Sequence, residues 1–150
     1  MTKQELFEEV RTLLRDAQVA AVSSPYRYGD EDLTYQIRSA LRWARTQGVV
    51  TDAAMSTEGE LAPEPSEPVG LLLAYRTAAN LLQGDLISRL HSGELGMYFR
   101  AGDNIIDTKT AAGAFRFAAA LFQNEVASLL FQLLSENNIG DVYGGPTLSV

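Results

Sequence analysis

The chain contains no cysteine in its 150 residues, which removes disulfides, thiolate metal sites and cysteine nucleophiles together. It contains one histidine, His91. An imidazole metal cluster or a Ser–His hydrolase would have to be built around that single ring at a predicted helix end, where a histidine more simply favours the helix terminus. Positive charge is also scarce. Twelve basic residues stand against 19 acidic ones, for a net charge of −7, and the arginines are scattered, so a grip on a phosphate backbone is not expected. The longest apolar runs, VGLLLAY and AGAFRFAAALF, fall short of the roughly eighteen unbroken apolar residues of a membrane span, and no spanning helix is expected. The start MTKQELFEEV is acidic and amphipathic. It lacks the basic lead and apolar run of an export signal, and the expectation is an intracellular protein.

What is present suits a folded domain: 46% hydrophobic and 21% charged residues are ordinary for one globular unit of this length. Thr2 and Glu5 have capping-box spacing, and Leu6, Val10, Leu13 and Leu14 follow at helical intervals, predicting a first helix over 3–16. Pro25 and Gly29 break the next stretch into a loop. Asp30 reads as the N-cap of a second helix over 31–47, with Glu31 and Asp32 in its first turn and Leu33, Ile37, Ala40, Leu41 and Ala44 on one face before Gly48. Residues 48–68 hold three of the five prolines and five acidic residues without a basic one. They read as a long surface loop or mobile linker.

Ser66 caps a third, long helix whose apolar side is Leu71, Leu72, Ala74, Tyr75, Ala78, Ala79, Leu82, Leu86 and Leu90, with Arg76, Asn80, Gln83 and His91 opposite. A last helix spans about 108–137. Phe115, Ala119, Phe122, Val126, Leu129, Leu130 and Leu133 form its core stripe, and Phe117, Leu121 and Phe131 lie on the other side. Large apolar residues on the back of a helix in so small a domain predict a second contact, most simply with another subunit. The tail IGDVYGGPTLSV is broken by Gly and Pro and reads as an extended arm. The expected fold is mainly α, a four-to-five-helix bundle with one short β-hairpin or extended loop. The helical domain is 1–138 and the arm 139–150.

One stretch between the two long helices, GDNIIDTKTAAG, invites a chemical reading. A phosphate loop needs converging glycine amides and a GKT or GKS ending. Here no glycine precedes Lys109, and two isoleucines occupy the cradle. An aspartyl-phosphate site needs a carboxylate at the end of a buried parallel strand, with further acids for magnesium; no partner strand is visible. The simpler reading is a turn at Gly102–Asp103, a hairpin or extended loop over 97–106, and Asp107 or Thr108 capping the last helix. The acids Asp30, Glu31 and Asp32 stand where the helix dipole favours them. No catalytic, metal or cofactor residue is assigned.

The order of features (short helix, YRYGDEDL loop, amphipathic LTYQIRSALRWA, long LLLAYRTAANLLQGDLISRL, extended YFRAGDNIIDT, and final AAGAFRFAAALFQNEVASLL) resembles the head–tail connector adaptor, or head-completion, family of tailed bacteriophages. The resemblance covers most of 3–136 and rests on a helix-start pattern like YGDEDLTYQIRSAL and a linking segment like AGDNIIDT. It implies a helical virion protein with no enzymatic activity and no cofactor, made in the host cytoplasm and placed at the head–tail junction. Copies would form a ring, commonly of twelve, that binds the portal protein above and a downstream connector or tail-completion protein below. DNA would pass through its channel without sequence-specific binding. The segment with Tyr98, Phe99, Arg100, Asp103, Ile105 and Ile106 is the implied subunit or downstream contact, to which the helix pattern adds Phe117, Leu121 and Phe131. The tail residues Ile139, Val142, Tyr143, Pro146, Leu148 and Val150 are the implied portal-docking arm. The acidic 48–68 insertion departs from the short connections expected in that family. A second reading is a cytosolic helical binding or regulatory module that uses the acidic linker and the tail.

Overall fold

The first helix begins as its capping pattern predicts. The Thr2 amide donates to Glu5 Oε2 at 2.7 Å and the Glu5 amide donates to Thr2 Oγ1 at 3.1 Å, satisfying two otherwise orphaned donors. Those bonds from Thr2 hold the Glu5 carboxyl below its ordinary pKa. The computed structural model describes residues 1–14, 28–91 and 116–136, with side chains in the middle span described as far as residue 85.

Helix α1 is Lys3–Leu14, with Leu6, Phe7 and Val10 fully buried. Helix α2 is Asp30–Thr46, and it starts one residue earlier than its acidic cluster suggests. Gly29 is the N-cap, and its amide donates to Asp32 Oδ2 at 3.2 Å. Asp30 is instead drawn to Arg11, whose Nη2 lies 2.6 Å from Asp30 Oδ1. This pair ties the end of α1 to the start of α2. At the other end Gly48 has φ 94°. The Gly48 and Val49 amides donate to the Arg45 and Ala44 carbonyls, a Schellman closure that glycine adopts without steric penalty.

The 48–68 segment corrects the linker expectation. It contains a two-stranded antiparallel hairpin, β1 at Ala54–Met55 and β2 at Leu61–Ala62. Ala53, Met55 and Leu61 turn inward, 1%, 6% and 9% exposed, while Ala54 and Ala62 turn out. The Ser56 amide donates to the Glu60 carbonyl at 2.8 Å, and Gly59 sits at φ 87°, as a three-residue hairpin connection requires. Arg38 of α2 donates to the carbonyls of Met55 and Ser56, and Arg45 donates to that of Ala53. A segment with few apolar residues is thereby ordered through its backbone, since charge-assisted bonds are the stronger kind. The hairpin expected at 97–106 lies outside the described residues.

Helix α3, Glu67–His91, is the centre of the bundle. The single apolar side read from its sequence understates its burial. Leu72, Leu73, Ala74, Thr77, Ala78 and Ala79 are all fully buried, and Leu81 is 8% exposed. A helix apolar nearly all round is one enclosed by neighbours: α1 and α2 both pack on it, and Tyr75 meets Phe122 of the last helix with ring centroids 5.9 Å apart. The predicted core positions Leu86 and Leu90 lie beyond the described side chains.

Helix α4 is Arg116–Glu136. The core includes Ala119 at 7% and Val126 at 4% exposure, with Leu129, Leu130 and Leu133 partly buried against it. Its far end reaches α2, where Leu134 lies 3.5 Å from the position a Cβ would take at Gly48. By length and composition alone this helix is long and apolar enough to cross a membrane, contrary to the expectation from unbroken runs. Glu125 stands at its midpoint, where a charge in a bilayer would cost roughly 2.5–3.5 kcal/mol on insertion scales. Its Ala119–Val126 side packs on the protein core, while only 11% of its most apolar window is buried. The described residues therefore form a mainly helical bundle of four helices with one small hairpin.

Candidate functional surface

The outer side of α4 follows from its period. Phe117, Leu121 and Phe131 are 67%, 48% and 72% exposed. At 3.6 residues per turn they fall within one sector, opposite Ala119, Phe122 and Val126, with Asn124 and Ser128 between them. Isolated exposed apolar residues are common on protein surfaces. Three large ones in register on one helix form a surface that fits a protein contact. The sequence pattern placed all three residues where the structure has them.

A second feature was not visible in the sequence. Arg76 was expected on the solvent side of α3, yet it is half-buried, with its guanidinium 4.4 Å from the centre of the Trp43 ring on α2. Its Nε is buried without a hydrogen-bond partner, and among the described residues no carboxylate pairs with it. Desolvation lowers its pKa from the usual arginine value, the direction expected of a cation taken partly out of water. Stacking on an indole offsets part of that loss, by about 1–2 kcal/mol when desolvated. Among the arginines that touch the bundle, Arg11 has Asp30, and Arg38 and Arg45 have hairpin carbonyls. Arg76 has the ring alone. No periodicity signals this, because a position between core and surface reads as polar in the heptad pattern.

The acidic hairpin forms a third surface. Asp52, Glu58, Glu60, Glu64 and Glu67 are exposed and, among the described residues, make no ion pair. Beside its turn is a shallow groove of about 430 Å³ lined by Lys3, Asp30, Glu31, Thr34, Tyr35, Arg38, Thr57, Glu58 and Gly59. Three of the groove's polar side chains are engaged within the fold. Asp30 accepts from Arg11, Arg38 donates to the hairpin, and Lys3 lies 5.5 Å from the Phe7 ring centre.

Among the described residues no group of three or more His, Asp or Glu side chains is arranged to hold a metal ion. The stretch 97–115, with Tyr98, Phe99, Arg100, Asp103, Ile105, Ile106, Asp107, Thr108 and Lys109, lies outside the described residues. So does the tail with Ile139, Val142, Tyr143, Pro146, Leu148 and Val150. His91 ends α3, its side chain beyond those described. In comparisons with known proteins no family model matches the chain, and neither a curated protein nor a solved structure matches it.

Proposed function

We propose that the chain is a structural adaptor of the tailed-bacteriophage head–tail junction. On this reading it is a subunit that assembles as a ring, binds the portal protein and a downstream connector or tail-completion protein, and lets DNA pass without sequence-specific contact. The carrying observation is the outer face of α4: Phe117, Leu121 and Phe131 remain exposed on a helix whose opposite side is packed in the core. A subunit built to be covered by neighbours keeps such a face. The net charge of −7 supports a channel wall along which DNA slides rather than adheres. The order of helices, with its resemblance to the connector adaptors, supplies the particular assembly. The alternative is a cytosolic helical binding or regulatory module that uses the acidic linker and the tail to hold a protein partner.

Mass photometry and negative-stain microscopy of the purified chain, alone and with a purified portal ring, test this. The expected result is a multi-copy ring seated on the portal. A monodisperse monomer without portal affinity would contradict it.

A further inference from the structure

Among the described residues the bundle leaves two complementary groups unpaired. Arg76 is a half-buried guanidinium stacked on Trp43 with no acid beside it. The hairpin and the turn after it expose Glu58, Glu60 and Glu64 with no base beside them. A partly desolvated arginine gains most from a carboxylate, because its planar fork matches the two oxygens and its hydration is already reduced. Among the described residues no ion pair joins the two.

From this juxtaposition we propose that the Arg76–Trp43 site receives a carboxylate from the 58–64 acidic segment of a second copy of this chain. The occupant follows from charge complementarity. The chain has 19 acidic residues against 12 basic, so apposed copies repel unless a cation sits at the contact, and Arg76 is a cation left without an acid. The contact joins two different patches. Such head-to-tail pairing builds closed rings or open filaments rather than two-fold dimers. This deepens the adaptor-ring reading and rests on it only for the closure of the ring.

Trp43 is the chain's one tryptophan, so the site carries its own reporter. Its emission is followed as the full chain is concentrated, at low and high salt, alone and with portal rings, while sedimentation records association. The expected result is a shift in Trp43 emission that tracks association and weakens with salt. Arg76→Glu alone, and Glu58→Arg with Glu60→Arg and Glu64→Arg alone, each weaken association at least ten-fold. An equimolar mixture of the two variants restores it, because each copy then offers what the other needs. Circular dichroism melts establish that both variants fold, and the wild-type emission shift tests the contact should either fail to. Association with a silent Trp43, or variants whose mixture recovers nothing, would overturn the contact and leave the ring reading standing. Salt-sensitive association through Arg76 without portal affinity would uphold the contact and overturn the portal reading. Single copies under every condition would overturn both.

Discussion

The 54–62 hairpin and helix α4 both attach to the core built by α2 and α3, in opposite ways. The hairpin is short and largely polar, but Arg38 and Arg45 hold its carbonyls and Met55 and Leu61 anchor it in the core. Helix α4 has 21 residues and an apolar composition, yet its attachment is one stripe of side chains, with Phe122 against Tyr75 and Leu134 near Gly48. Directional bonds to the backbone fix a segment that has little apolar area to bury. Area alone fixes a helix on one side and leaves the other for a different contact.

The largest expected effect falls on the hairpin's anchor. Met55→Ala removes a side chain 6% exposed, and urea unfolding should show a loss of about 3 kcal/mol. A destabilisation under 1 kcal/mol would mean that the hairpin only rests on the bundle. Next, Arg38→Ala with Arg45→Ala should cost about 2 kcal/mol, since each removes charge-assisted bonds to carbonyls. Hydrogen exchange should localise the effect, with the Ser56 amide losing protection and the amides of α4 keeping theirs. Equal loss in both regions would erase the distinction between them.

Much of the helical frame was legible because it follows from period and punctuation. The Thr2–Glu5 capping box, the Gly48 stop, the Leu33 to Ala44 stripe and the two sides of α4 all stand where spacing put them. The hairpin was not legible. Its apolar residues are few and its strands two residues each, and the arginines that bind it lie at a distance in sequence, within helix α2. Nothing in the spacing of Arg38 and Arg45 along α2 signals the hairpin carbonyls they bind. The burial of Leu73 and Thr77 was missed for a related reason: a central helix is enclosed from several directions, and periodicity shows only one. Of the predicted contact residues, Phe117, Leu121 and Phe131 were placed correctly on an exposed side. The same pattern could not show that Arg76 would end against Trp43.

A smaller effect is expected outside both regions. The depressed Glu5 pKa means that its ionised form is favoured in the folded state, so its contribution is present above the ordinary carboxyl range and is lost as pH falls through the lowered value. In Glu5→Gln, acid titration of the melting temperature should therefore show a shallower fall below about pH 4.5 than in the parent chain. An unchanged acid limb would show that the Thr2–Glu5 bonds add nothing to stability.

On the proposed reading the two sides of α4 do different work, one for the fold and one for assembly. Sedimentation velocity of Phe117→Ser, Leu121→Ser, Phe131→Ser combined, beside the parent chain and both with portal rings, tests it most directly, with urea unfolding of each in parallel. Folding stability should change by no more than about 0.5 kcal/mol for each exposed position, while ring formation weakens at least ten-fold. A variant that assembles like the parent, or one that fails to fold, would contradict it.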